Sequence, residues 1–211
     1  MSLDAMAVSA GYPGGPDVLT QVSVSVEPGT ITGLTGPSGS GKTTLARVLA
    51  LLQKPRTGSV LLDGTTVRGV GYSVPATSRA QIALLFQSPR QATDPRMTLR
   101  SIIEQPAVIA GRSVDVADLA EQVGLTADLL SRRPHQISDG QLQRACVARA
   151  LAQRPRYLIC DEVTSMLDAA TTASIARSVE RQAVDGGLGV LVISHDEDLL
   201  DALCSSVHHL S

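Results

Sequence analysis

Residues 30–52 constrain the fold of this chain more than any other segment. An apolar run, Thr30-Ile31-Thr32-Gly33-Leu34, feeds a glycine-rich loop, Gly36-Pro37-Ser38-Gly39-Ser40-Gly41. The loop opens onto Lys42-Thr43-Thr44 and a helical pattern with Leu45, Val48, Leu49 and Leu52. It fits G-x-x-x-x-G-K-[ST] at every fixed position, the pattern of a Walker A phosphate loop. Gly36, Gly39 and Gly41 let the backbone curl until successive N–H groups face one anion. A helix over 42–52 adds the partial positive charge of its N-terminus. Lys42 can then reach the β- and γ-phosphates of a bound nucleotide, and the Thr43 hydroxyl can ligate Mg²⁺. A chance glycine-rich turn would not carry both an apolar strand before it and a helical pattern after it. The expectation is a nucleoside triphosphate site built on a strand–loop–helix unit.

The flanking pattern predicts an α/β domain. Val22, Val24 and Val26 alternate as a half-buried strand should, and Pro28-Gly29 breaks to a second strand over 30–34. Strands are predicted at 59–62, ending in the Asp63-Gly64 turn, and at 81–86. From about 97 to 153 the periodicity turns helical, with helices predicted over 98–110, 115–123 and 138–153 and breaks near Gly111, Gly124 and Pro134. Strands at 157–160 and 190–193 follow, separated by a helix over 169–184. Strand–helix alternation interrupted by a helical insert implies a sheet domain carrying a mostly helical subdomain.

Composition excludes several classes. The 211 residues carry a formal net charge of −2, so no overall basic footprint suggests nucleic acid as a primary partner. No apolar run has bilayer-spanning length, and the N-terminus lacks a basic-then-apolar signal segment, which predicts a cytosolic or peripheral protein. Cys146, Cys160 and Cys204 are odd in number and lack metal-ligand spacing, the usage of inert thiols in a reducing compartment.

Two further stretches carry chemistry. Tyr157-Leu158-Ile159-Cys160 is an apolar strand ending in Asp161-Glu162. In a parallel sheet such an end faces the ligand at the phosphate-loop edge. There one carboxylate can hold Mg²⁺ while the other orients and deprotonates an attacking water. In Ile137-Ser138-Asp139-Gly140-Gln141-Leu142-Gln143-Arg144, Ser138 has the character of a helix N-cap ahead of an amphipathic run.

Lying between the two nucleotide motifs, that last stretch resembles the signature of ATP-binding-cassette (ABC) ATPases, usually Leu-Ser-Gly-Gly-Gln, and the resemblance covers nearly the whole chain. It implies a phosphate-loop (P-loop) NTPase, RecA-like α/β core with an N-terminal antiparallel β subdomain and an inserted α-helical subdomain. Residues 1–211 would form one ABC ATPase domain. Within it, 1–87 and 156–211 would be the core with its β subdomain, and 88–155 the helical subdomain carrying the signature. Gln87 resembles the Q-loop glutamine, which contacts Mg²⁺ and water and links to the transport partner. Ser165-Met166-Leu167-Asp168 resembles the D-loop, with Asp168 near a dimer interface. His195 resembles the switch histidine at the γ-phosphate; a lone His-Asp pair is more often a turn or helix cap, and only its place in this series of motifs makes it functional. Tyr12 resembles the aromatic residue that stacks on adenine; it could equally be a packed loop residue.

Together these positions imply ATP and Mg²⁺ as ligands. Gly36, Pro37, Ser38, Gly39, Ser40, Gly41, Lys42, Thr43 and Thr44 would cradle the phosphates. Thr43, Gln87 and Asp161 would serve the metal, and Glu162, His195, Gln87 and Lys42 the chemistry. Two cassettes, as homodimer or heterodimer, would pack head to tail, with Ser138, Gly140 and Gln141 of one completing the site of the other. The segment 86–106, with Phe86-Gln87-Ser88-Pro89, Asp94-Pro95-Arg96 and Glu104-Gln105-Pro106, resembles the peptide and nickel importer group, as does Arg133-Pro134-His135-Gln136. Integral-membrane permease subunits at the cytoplasmic face of the inner membrane, and indirectly an extracytoplasmic substrate-binding protein, are the implied partners; nucleic acid is not. A non-transport ABC ATPase of DNA repair, chromosome or translation type stays as an alternative, as does a regulatory subunit without turnover. Three departures stand out. Asp139 replaces the first signature glycine, where it either weakens the site or caps the helix. Val163 and Met166 read as packing changes. The sequence stops at Val207–Ser211, where relatives usually add a turn, another strand and often a helical tail.

Overall fold

The computed structural model describes residues 1–12, 14–165 and 167–210, so the Met166 substitution lies outside the described residues. Five strands form a parallel sheet in the order β6 (Ile82–Leu85), β7 (Tyr157–Asp161), β8 (Gly189–Ile193), β3 (Ile31–Thr35) and β9 (Ser206–His209). Each residue of β3, β7 and β8 is buried. The apolar runs at 157–160 and 190–193 suit strands covered on both faces, and β3, beside β8, buries Thr32 and Thr35 as well. Alternate residues divide between two cores. Leu158, Cys160, Val190 and Val192 pack with the helical insert. Tyr157, Ile159, Leu191 and Ile193 pack with the helix behind the phosphate loop, α1 (Lys42–Leu49), and with the second sheet.

That second sheet is antiparallel, in the order β2 (Asp17–Val26), β1 (Leu3–Gly11), β4 (Thr57–Leu62) and β5 (Thr65–Thr66). Strand β1 has no clean alternation in the sequence. Ala7 has φ 47°, and the register slips between Ala5 and Val8, so a bulge puts the buried residues out of phase. Gln21 does the same in β2, which runs longer than the predicted 22–26.

The insert between β6 and β7 comprises α3 (Leu99–Ile109), α4 (Val116–Gln122) and α5 (Asp139–Ala152), close to the predicted spans. Thr98 caps α3 and Asp115 caps α4. A short helix, α2 (Ala76–Arg79), precedes β6. After β7 come α6 (Ala169–Val184), α7 (Glu197–Leu203) and β9. The segment Ser206–His209 is thus itself a strand, pairing with β3 from Thr32–Ser206 to Thr35–His209. Its polar composition hides it in the sequence, because as an edge strand it is only half-buried. Helix α1 ends at Leu49, since Leu51 turns the chain with φ 61°. Among the described residues no helix is long and apolar enough to cross a membrane.

Candidate nucleotide site

The phosphate loop is held by contacts that only glycine permits. At Gly36, φ is 149° and a Cβ would stand 2.4 Å from the Leu210 carbonyl oxygen. At Gly41, φ is 93° and a Cβ would meet Leu19 Cδ2 at 2.6 Å. Both positions leave the backbone free to bend around a ligand. Helix α1 starts at Gly41 with no side-chain cap and no acidic residue in its first turn. Its leading amides therefore lack the partner that most helices supply for themselves.

The buried Lys42 ammonium donates to the carbonyl oxygens of Gly36, at 2.8 Å, and Pro37, at 2.9 Å. The Ser40 hydroxyl is buried without a hydrogen-bond partner among the described residues. An orphaned donor, uncapped amides and a lysine braced on the same turn fit a polyphosphate. The Thr43 hydroxyl donates to Asp161 Oδ1 at 3.2 Å, which joins the loop to the end of β7. Hydroxyl and carboxylate oxygens are the donor set of a hard divalent cation, so these two residues fit Mg²⁺.

Burial is the main influence on Asp161. It pushes the carboxyl above the usual carboxylate range, the Thr43 hydrogen bond opposes this, and neighbouring Glu162 adds to it. A raised folded-state pKa means that the ionised form costs stability at neutral pH. Asp161→Asn is therefore expected to raise the melting temperature of the nucleotide-free chain by a few degrees. The same variant should lose the additional stabilisation that Mg²⁺ gives beyond ATP alone. Differential scanning fluorimetry with ATP, with and without Mg²⁺, measures both.

Three strand ends converge on Glu162. The residue follows β7 with φ 50°, a conformation costing a non-glycine residue about 1 kcal/mol or more. Its amide donates to the Ile193 carbonyl oxygen at 3.1 Å. One carboxylate oxygen lies 2.6 Å from His195 Nε2, just beyond β8, and the other accepts from Gln87 Nε2, just beyond β6, at 3.1 Å. Ser165 donates its hydroxyl to the Glu162 carbonyl oxygen and lies 3.4 Å from Gln87 Nε2. Ser165 was marked in the sequence only through the D-loop; its contact with Gln87 had no local signal. A cleft of about 600 Å³ lined by Glu162, Ser165, Ser194, His195 and Leu199 opens beside them.

The remaining predicted residues lie apart from this cluster. Ser138 caps α5, accepting from the Gln141 amide at 3.2 Å, while Gln141 Oε1 accepts from the Ser138 amide at 3.0 Å. The Ser138 cap is what the sequence predicts, and the return bond from Gln141 makes it a reciprocal capping box. Gly140 sits where a Cβ would approach Thr171 Cγ2 at 3.1 Å. Asp168 caps α6, accepting from the Thr171 amide at 2.9 Å and hydroxyl at 2.8 Å, bonds that hold its carboxyl below the usual range. Asp196 caps α7 through the Leu199 amide, so the His-Asp pair supplies both a cap and, in His195, a partner for Glu162. Tyr12 is exposed, and its carbonyl oxygen accepts from Arg56. Val163 joins the buried core. Burial pushes the Cys160 thiol up to about 12 and the Cys204 thiol up to about 11, which suppresses thiolate chemistry at both.

A phosphate loop, a lysine turned onto it, a Thr–Asp pair and a carboxylate bridged by glutamine and histidine at one sheet edge define a P-loop nucleotide-binding domain. The sequence matches the ABC transporter family over residues 19–165, and the chain belongs to that family of ATPases. It is 37% identical over 203 residues to the methionine import ATP-binding protein MetN 3 of Pseudomonas fluorescens, covering 94% of this chain and 62% of the relative. It is 36% identical to the putative oligopeptide transport ATP-binding protein YkfD of Bacillus subtilis, covering 90% and 58%. It is also 36% identical to the nickel import ATP-binding protein NikE of Shigella boydii, covering 90% and 73%. The chain thus spans about three-fifths of the length of the first two relatives. Among solved structures, the dimeric ATP-binding cassette MJ0796 in a post-hydrolysis state with ADP and Pi superposes with a TM-score of 0.86. It is 25% identical, with 99% of this chain and 94% of that one covered.

Proposed function

We propose that this chain is the ATP-hydrolysing subunit of an ABC importer, working at the cytoplasmic face of a membrane with separate permease subunits. The observation that carries the reading is the bridging of Glu162 by His195 and Gln87, at the same sheet edge as Lys42, Thr43 and Asp161. Lys42 and the amides of residues 36–44 bind the phosphates, and Tyr12 stacks on the base. Thr43, Asp161 and Gln87 hold Mg²⁺, which when bound offsets phosphate charge. Glu162 positions and deprotonates water, and His195 contacts the γ-phosphate. His195 and Gln87 each take one oxygen of the Glu162 carboxylate, which orients it and leaves lone pairs free for a water.

The helices of 88–155 act as a separate subdomain on the core of 1–87 and 156–211. Their Ser138, Gly140 and Gln141 complete the site of a second cassette, identical or a sister, with Asp168 at the joint. Release after hydrolysis shifts the population toward the open form and moves the permeases. A groove of about 430 Å³ between β6, α3 and α5 has an apolar floor of Leu85, Pro106 and Ile109 edged by Arg79, Arg112 and Arg149, which suits an amphipathic helix of such a partner. Cargo supplied by an extracytoplasmic binding protein is a peptide, nickel or methionine, the cargoes named for the relatives above. The test is Mg²⁺-dependent ATP turnover by the purified chain, with recovery of integral-membrane polypeptides when it is isolated from detergent-solubilised cells. Absence of turnover both alone and with any sister cassette recovered beside it, or recovery with nucleic acid instead, would overturn the reading.

A further inference from the structure

Asp139 opens α5 immediately behind its cap. A carboxylate there favours the helix N-terminus, yet it also cancels the partial positive charge that an incoming phosphate needs. In the structure that carboxylate has a partner: its Oδ1 lies 2.6 Å from Nη2 of Arg90. The same guanidinium donates to the carbonyl oxygens of Pro134, at 2.9 Å, and Ile137, at 3.2 Å. Three acceptors on the approach to α5 and its first residue thus converge on one side chain from the connection that follows Gln87. That connection is tied a second time, because Arg149 on α5 donates to the Ala92 carbonyl oxygen at 2.6 Å. Arg90 and Asp139 are each about half-exposed, and a surface pair of this kind contributes little to stability. Its consequence lies in charge and position.

We propose that Arg90 is a positioning residue which neutralises Asp139 and so allows an acidic signature to close on the triphosphate held by a partner cassette. The inference rests on the head-to-tail reading above. With Arg90 in place the mouth of α5 carries an ion pair, and the helix amides still present their partial positive charge. Without it, an unpaired negative charge stands beside Ser138 at the end that meets the partner's triphosphate, enough to weaken closure about tenfold. The fork of the guanidinium matters as well as its charge, since one side chain answers two carbonyls and a carboxylate.

The experiment uses the Glu162→Gln chain, alone or with a sister ATPase where one accompanies it, and follows MgATP-dependent dimer formation by size-exclusion light scattering. Arg90→Met is expected to raise the ATP concentration for half-maximal dimer about tenfold while Asp139 is present. The same change should cost less than twofold once Asp139→Gly is in place. Equal loss in both backgrounds would reduce Arg90 to a structural clamp, and no loss in either would leave it without a role; each result overturns the inference alone. Failure to dimerise with Arg90 intact would overturn the head-to-tail reading and the inference with it. Melting curves check that every variant folds. Should Arg90→Met fail, Arg90→Gln, which keeps a donor for the carbonyls and drops the charge, must show the same dependence on Asp139.

Discussion

Glu162→Gln is expected to bind MgATP within about twofold of the parent while turnover falls by roughly 10²–10⁴-fold, the range for loss of a positioned general base. The amide keeps the shape of the side chain and one acceptor oxygen for Gln87 or His195, so the 2.6 Å and 3.1 Å contacts do not both disappear. What it lacks is basicity. The left-handed backbone at Glu162 and the Ile193 hydrogen bond are untouched by the change, so the strand end keeps its course. Single-turnover hydrolysis, set against equilibrium binding of a fluorescent ATP analogue, separates the two quantities. A variant that hydrolyses ATP at the parental rate would move the water-activating role to another residue.

Lys42→Met is expected to weaken nucleotide binding severely. Methionine matches the buried stem but removes the charge and the donors that hold the Gly36 and Pro37 carbonyl oxygens. A bound phosphate would accept from the same ammonium, and such charge-assisted bonds are the strong ones. Affinity should fall about 10²-fold. At an ATP concentration of about 100 Kd the parent gains roughly 2.7 kcal/mol of stability from the ligand, and the variant at the same concentration gains about 0.4 kcal/mol. The ATP-induced rise in melting temperature should therefore nearly vanish. A variant that retains the full shift would remove Lys42 from phosphate binding.

Contiguous features were legible in the sequence. The glycine pattern, the helix that follows it and the Ser138 N-cap each depend on a few neighbouring residues, so local spacing was enough to specify them. The apolar runs at 157–160 and 190–193 likewise declared strands buried on both faces. The short polar edge strand β9 was not legible, and neither was β1, whose alternation a bulge interrupts.

The chain's sequence by itself determined an α/β nucleotide-binding domain and the chemistry available to it. Tertiary structure alone decided which of those groups touch. Strand order brings the ends of β6, β7 and β8 side by side, and with them Gln87, Glu162 and His195, although long helical segments separate them in the chain. It also sets Arg90 against Asp139, a pairing that changes the meaning of the acidic residue in the signature. Neither follows from periodicity, because a hydrophobic pattern fixes which face of an element is buried, while contact between distant side chains depends on how the elements are ordered and packed.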